Sequence, residues 1–408
     1  MTRNWEIKKL GDICTFENGD RGKNYPSRSK YTDKGIPIIN AGNLSDNGIK
    51  KEELNYISKD QFNLLSQGKF RKGDILFCLR GSLGKFSLVE ILDEGAIASS
   101  LVIVRASGAI LKEFLAAYFR SSLCSEMIDK YSNGAAQPNL SAQSLKSFEI
   151  PLPPLPEQKR IVKILDQAFA AIDQAKANAE KNLQNSRELF DAYLNKVFAN
   201  PGDGWEEKEL GDIADIKGGK RVPKGYKLET NQTKYPYIRV TDFNDNGSVD
   251  LDDIHYISDE IYKQISNYTI STKDLYISIA GTIGKTGIIP KELDGANLTE
   301  NACKLVFKSN IDPKYIYYFT KSSNFLSQAG LNTRIAAMPK LALRRLSSIT
   351  LYIPRSISKQ HEIVSFLNKL KAETQKFEAI YEQKLNSLEE LKKSILQKAF
   401  DGQLKIES

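Results

Sequence analysis

The chain carries the same text twice. Trp5-Glu6-x-Lys8-x-Leu10-Gly11-Asp12-Ile13 returns 200 residues later as Trp205-Glu206-x-Lys208-x-Leu210-Gly211-Asp212-Ile213. Gly19-x-Arg21 returns as Gly219-x-Arg221, Tyr56-Ile57-Ser58 as Tyr256-Ile257-Ser258, and Gly81-Ser-Leu-Gly84-Lys85 as Gly281-Thr-Ile-Gly284-Lys285. The register then slips by one or two. Ala135-Ala136-Gln137-Pro138 matches Ala336-Ala337-Met338-Pro339, and Gln158-x-x-Ile161-Val162 matches Gln360-x-x-Ile363-Val364. A repeat this long is a whole domain with its connector, not a solenoid unit. Two similar units in one chain predict a pseudo-two-fold object, which suits a target with two half-sites.

Within each repeat, short apolar runs alternate with turn signals. Ile36–Ile39, Ile75–Leu79, Leu88–Leu92 and Leu101–Val104 read as strands, and residues 111–130 read as helix. The second copy repeats this layout at 235–240, 274–279 and 304–307. Each mixed α/β unit ends at proline, at Pro151-Leu-Pro-Pro-Leu-Pro156 and again at Pro354, where neither strand nor helix continues.

Beyond each boundary no Gly or Pro occurs from Glu157 to Ala199, or from Ser358 to Phe400. Each segment can form a helix about 60 Å long. Apolar or small residues recur at Ile161, Leu165, Ala168, Ile172, Ala175 and Ala179, then at Leu183, Phe190, Leu194 and Val197. The second segment reads Ile363, Leu367, Leu370, Phe377 and Tyr381, then Leu385, Leu388, Ile395 and Ala399. Spacings of three and four are the coiled-coil period. A four-residue stutter interrupts both series, at Ala179→Leu183 and Tyr381→Leu385, and locally unwinds the supercoil.

The fold class expected is therefore duplicated α/β (α+β) domains, each followed by a long α-helix, with the helices paired as an antiparallel coiled coil. That pairing puts one domain at each end of a spacer of fixed length. The boundaries read are 1–153, 154–199, 200–355 and 356–404. The alternative is two unrelated amphipathic helices, each packed on its own domain.

Composition narrows the function. Hydrophobic content of 41% and charged content of 26% are those of a globular protein. No run of 18 apolar residues exists and the N-terminus lacks a signal-peptide pattern, so a cytoplasmic location is expected. Cys14, Cys78, Cys124 and Cys303 are scattered, which fits reduced thiols and neither disulfides nor zinc. The net charge of +8 permits nucleic-acid binding without establishing it.

No catalytic constellation emerges. Gly281-Thr-Ile-Gly284-Lys285-Thr286 resembles a Walker A loop, but Ile279 stands where its first glycine belongs. In the first repeat Phe86 replaces the hydroxyl residue. Two readings of this turn remain: a tight loop whose backbone approaches a nucleic-acid phosphate, or an ordinary hairpin with a solvated lysine. His255 and His361 have no His or Cys at metal-ligand spacing. No Gly-x-Ser-x-Gly elbow, dinucleotide fingerprint or adenine-methyltransferase Asn-Pro-Pro-Tyr-type tetrapeptide is present.

Basic and aromatic residues gather at repeated positions. Arg21, Lys23, Tyr25 and Arg28 lie in one Gly/Pro loop; Lys220, Arg221, Lys224 and Tyr226 lie in its counterpart. Such residues can hold phosphates and reach base edges. Asn40 and Asn43 correspond to the region of Arg239, Thr241 and Asp242, hydrogen-bonding residues of different kind at similar positions. Arg80 and Lys85 flank the first Gly-rich turn, Lys285 closes the second, and Arg334 precedes the second Ala-Ala-x-Pro. The alternative throughout is a solvated basic loop.

Taken together, the sequence resembles the specificity subunits of type I restriction–modification systems, over nearly its whole length. The residues that carry the likeness are Gly73-Asp74-Ile75-Leu76 with Gly81–Lys85, and Pro151-Leu-Pro-Pro-Leu-Pro-Glu157-Gln-Lys-Arg-Ile161-Val. Degenerate second copies stand in register at Lys273-Asp-Leu-Tyr276 and Lys359-Gln-His-Glu-Ile363-Val. The resemblance implies two target recognition domains reading a bipartite double-stranded DNA sequence. It implies helical spacers that dock two methyltransferase subunits, which carry S-adenosylmethionine, and a restriction/motor subunit besides. It also implies no catalysis and no cofactor in this chain, and no membrane. Two other readings stand beside it: a nucleotide-binding enzyme using Gly281–Thr286, and a coiled-coil scaffold without DNA.

Overall fold

The computed structural model describes residues 5–22, 24–45, 48–132, 139–330 and 340–404. Two compact units partition the chain: residues 1–180 with 383–408, and residues 181–382. Each long helix is thus shared between the units.

In the first unit, Glu6–Lys9 pairs antiparallel with Glu149–Leu152, so the start of the domain is closed by the strand that leads into the long helix. A four-stranded antiparallel sheet runs in the order Phe86–Leu88, Ile75–Cys78, Leu101–Ala106, Cys14–Asn18. A five-stranded sheet runs Tyr31–Thr32, Asn55–Ile57, Ile36–Ile39, Glu94–Ile97, Lys69–Arg71. In it Glu94–Ile97 lies parallel to Ile36–Ile39. Both faces of Ile75–Cys78 are buried, which explains its unbroken apolar run.

The second unit repeats this plan. Ala214–Gly218, Ala302–Phe307, Leu275–Ser278 and Thr286–Gly287 form the four-stranded sheet. His255–Ile257, Tyr235–Ile238 and Asn297–Leu298 form a smaller partner sheet with the same parallel pair. Trp205–Glu209 pairs with Thr350–Pro354.

Two local expectations are corrected. Residues 111–130 are two helices, Lys112–Phe119 and Ser122–Tyr131, because the Ser121 side chain accepts the Cys124 N–H and starts a new helix. The copy at Pro313–Lys321 and Ser323–Ala329 breaks the same way at Ser322. The strand expected at Leu88–Leu92 is instead Phe86–Leu88, with Ile91 exposed.

The long helices run Leu155–Ala199 and Ile357–Phe400. In the first unit they lie antiparallel. Lys176 meets Glu389 at 2.6 Å, Lys392 meets Asp173 at 3.5 Å, and Arg160 donates to the Leu404 carbonyl. In the second unit they are again antiparallel. Arg187 bridges Glu378 and Glu382, and Tyr193 packs on Phe366. Ile161, Leu165, Ile172, Leu194 and Leu367 are buried, while Leu183, Ile363, Leu370, Leu385, Leu388 and Ile395 are half-buried. Phe377 does not belong to this seam: its ring is exposed, and Thr374 takes the buried position.

Each domain core is completed by a helix end from the other repeat. Phe400 packs on Phe114 and Tyr118 in the first unit, and Phe198 packs on Tyr315 and Phe319 in the second. Trp5 lies against the first cluster and Trp205 against Tyr315 in the second.

Candidate nucleic-acid interface

The repeated Gly-x-Arg has a steric cause. A Cβ on Gly19 would stand 2.6 Å from the Ala98 carbonyl oxygen, and one on Gly219 2.1 Å from that of Thr299. Only glycine lets the loop press against the start of the neighbouring strand. The arginine that follows is thereby held beside that strand. Arg21 donates to the Ser99 carbonyl at 3.0 Å, and Arg221 pairs with Glu300 at 2.6 Å. Both arginine side chains remain at the surface.

In the second unit this loop forms one wall of a groove of about 540 Å³. Arg221, Tyr226, Arg239 and Thr241 all line it, so four expected residues from two separate segments come together. Tyr226 hydrogen-bonds Glu260, and that bond raises its phenol pKa above the ordinary value. Lys220 lies over the Tyr268 ring, and Lys224 is exposed. Thr299 and Asn301 also line it and were not anticipated. Their signal in the sequence is only a polar stretch, Asn297-Leu-Thr-Glu-Asn301, before an apolar strand.

Arg239 is the most constrained of these groups. Its guanidinium bonds Asp242 through Nε and Nη2, Asp253 at 3.0 Å, and the His255 ring at 3.3 Å. The Asp242 hydrogen bond comes first among the causes that raise its pKa, against the opposing effect of burial. Its backbone N–H also donates to Asp242, closing a short 3-10 turn at Val240–Asp242. Asn40 and Asn43 build the matching turn in the first unit. The Asn40 N–H donates to Asn43 Oδ1, the Gly42 N–H donates to Asn40 Oδ1, and Asn43 Nδ2 donates to the Glu53 carbonyl. Asn43 is buried and serves as a cap. Thr241, by contrast, is exposed.

The Gly-rich turns are hairpins. Gly81 and Gly281 take φ of +82° and +74°, which favours glycine, and each turn joins antiparallel strands. A phosphate-cradling P-loop leads from strand into helix, so the nucleotide-enzyme reading fails on topology. The lysines are half-buried and carry protein partners. Lys85 Nζ donates to the Ala41 carbonyl at 3.2 Å, and Lys285 Nζ to the Phe243 carbonyl at 2.8 Å. Each ties its hairpin to the 3-10 turn of its own unit. Arg80 is exposed and donates to Asn139. Tyr25 packs against the small apolar cluster around Phe62, where burial raises its pKa, and Arg28 is exposed on a 3-10 turn. Lys23 and Arg334 lie outside the described residues, as do both Ala-Ala-x-Pro segments.

Among the described residues no cluster of His, Cys, Asp or Glu could hold a metal, and no helix is long and apolar enough to cross a membrane. All four cysteines are buried, and burial pushes the thiols of Cys14 and Cys303 up to about 12.

The model of the type I restriction modification DNA specificity domain matches residues 2–183 and 202–390. The chain belongs to this family. Both matched segments are specificity domains, so the chain is a DNA-recognition subunit of the type I restriction–modification class and not an enzyme. It is similar to the EcoBI specificity subunit of Escherichia coli, 28% identical over 65% of this chain and 60% of that subunit. It is also similar to the MjaIX specificity subunit of Methanocaldococcus jannaschii, 22% identical over 100% of this chain and 95% of that one. In fold it is similar to a chain solved for complex assembly and conformational transition of a type I R-M system. That TM-score is 0.79, at 19% identity, covering 98% of this chain and 99% of that one. The HsdS subunit from Thermoanaerobacter tengcongensis gives a TM-score of 0.67 at 20% identity, with 98% of each chain covered.

Proposed function

We propose that this specificity subunit reads a bipartite double-stranded DNA target, one half-site per recognition domain. The observation that carries the reading is the doubling of the arginine loop and its glycine with different polar groups around each copy. A common scaffold then presents two different hydrogen-bonding faces. Arg21 and Arg28 in one unit, and Lys220, Arg221, Lys224, Tyr226 and Thr241 in the other, are the contact residues assigned. Arg80 joins them at the edge of the first hairpin. Arg239 holds the wall of the groove through Asp242, Asp253 and His255.

The long helices dock two methyltransferase subunits, and restriction/motor subunits join that assembly. S-adenosylmethionine belongs to the methyltransferase partners, and this chain binds no cofactor. The complex acts in the cytoplasm. The test is to express the chain with its methyltransferase partners and map methylated adenines across the host DNA. A split motif with a constant gap is expected; a continuous motif, or methylation without sequence preference, overturns the reading.

A further inference from the structure

The repeat contains a pair of residues that DNA contact does not explain. Gln158 and Gln360 are each the fourth residue of a long helix, and they are 0% and 1% exposed. A glutamine buried so completely must place its amide among partners. Gln158 Oε1 accepts from the Leu111 N–H at 2.9 Å, while its Nε2 donates to the Ala109 and Pro153 carbonyls at 3.0 and 2.8 Å. Gln360 Oε1 accepts from the Asp312 N–H at 2.9 Å, while its Nε2 donates to the Asn310 and Pro354 carbonyls at 3.1 and 3.0 Å. The two sets of partners are equivalent, atom for atom. Each amide joins three pieces: the strand leaving the domain, the loop entering the next helix, and the first turn of the long helix.

Apolar contacts already hold the helices to their domains through Ile161 and Leu165 in one unit and Val364 and Leu367 in the other. Such contacts are non-directional and tolerate rotation. Hydrogen bonds fix angles. The side chain cannot flip, because its oxygen faces an N–H and its nitrogen faces two carbonyls. We propose that Gln158 and Gln360 are positioning residues for DNA recognition, locking the direction in which each helix leaves its own domain and so limiting the spacing between half-sites that the subunit accepts. This rests on the bipartite reading above.

The experiment uses the full chain assembled with its methyltransferase partners and a duplex library. Every duplex carries both half-sites, with gaps from two base pairs shorter to two longer than cognate. Wild type is expected to methylate one gap predominantly. Absence of any bipartite preference in wild type sinks the underlying reading before the glutamines are at issue. Gln158→Met and Gln360→Met keep the volume and remove the bonds. Methylation at gaps one base pair off, relative to cognate, should rise roughly tenfold in each, as loss of one or two net hydrogen bonds allows. Half-site preference should not change. Ile161→Ala is the control: it weakens the apolar contact, lowers the melting temperature, and leaves the gap distribution as in wild type. If the Met variants fail to assemble, Gln158→Asn and Gln360→Asn, which withdraw the amide by one methylene, should broaden the gap in the same way. Variants that assemble, melt earlier and keep the wild-type gap distribution would show that the glutamines only stabilise the fold.

Discussion

The two units agree where they build and differ where they face outward. In both, a buried glutamine clamps the helix, a lysine from the hairpin ties down a 3-10 turn, and a phenylalanine from the other repeat's helix completes the core. Around the arginine loops the agreement stops. Arg21 donates to the Ser99 carbonyl, whereas Arg221 faces the carboxylate of Glu300. In the first unit Arg105 bridges Glu17 and Asp74; the second has Lys304 on Asp274 in the same region. A duplicated scaffold can diverge in its surface because its core, caps and clamps are satisfied independently of the groove. What a repeat shares is thus scaffold, and what it does not share is the candidate specificity.

The largest effect expected on that comparison comes from the borrowed phenylalanines. Phe400→Ala should destabilise the first unit and Phe198→Ala the second, each by about 3–5 kcal/mol. Trp5 and Trp205 are the only tryptophans, one against each core. Single-tryptophan variants, Trp205→Phe and Trp5→Phe, therefore report each unit separately in denaturant titrations. If Phe400→Ala lowered only the Trp205 transition, the assignment of that helix end to the first core would be wrong.

The close-approach glycines should follow. Gly219→Ala forces a Cβ to 2.1 and 2.3 Å from two carbonyl oxygens, Gly19→Ala to 2.6 Å from one. Both should cost about 1–3 kcal/mol, the range of overpacking, with Gly219 the costlier. The same fluorescence titrations check it. Equal or reversed costs would mean that the two loops relax differently from their packing.

Much of this was legible in the chain. The repeat, the proline boundaries and the helix lengths followed from residue identity, because long-range duplication and a Gly- and Pro-free run leave few alternatives. Phe377 went astray because periodicity alone cannot choose between 374 and 377 near a stutter, and a buried threonine carries no hydrophobic signal. Arg239, Asn43, Lys85 and Lys285 read as surface contacts because a basic or amide side chain looks the same whether it faces DNA or a carbonyl across a turn. Thr299 and Asn301 became visible only when the strand pairing brought them to the groove.

Arg21→Ala and Arg221→Ala test the surfaces directly. Where the guanidinium reads a guanine, binding should weaken by about 1–3 kcal/mol and tolerance should appear at one position of one half-site. Where it holds a phosphate, binding weakens for every sequence and the salt slope falls by about one. Fluorescence anisotropy on cognate and scrambled duplexes, over a range of salt, separates these outcomes for the assembled complex. Unchanged affinity and slope in both variants would remove the loops from the interface.

The smallest effect is the one most particular to the second unit. Glu300 neutralises Arg221, and Ser99 and Ser100 in the first unit supply no such acid. Burial is the largest single influence and opposes ionisation of Glu300, but the hydrogen bonds from Arg221, the Glu300 backbone and Thr299, with the Arg221 charge, together hold the carboxyl below its ordinary pKa. The Arg221 side chain is 77% exposed, so the pair itself contributes little, about 0.2–1 kcal/mol. Replacing the acid by its amide, Glu300→Gln, removes a negative charge from the rim of the groove and releases the guanidinium towards DNA. Affinity for scrambled duplex should therefore rise by a few-fold at low salt, with a steeper salt slope. Discrimination between cognate and scrambled DNA should fall, since the gain is independent of sequence. The second unit would then resemble the first, where the position matching Glu300 is Ser100 and Arg21 donates to the Ser99 carbonyl. If Glu300→Gln instead weakened cognate binding, Glu300 would be holding Arg221 in its reading position, and the contrast between the two arginine loops would be one of orientation and not of charge.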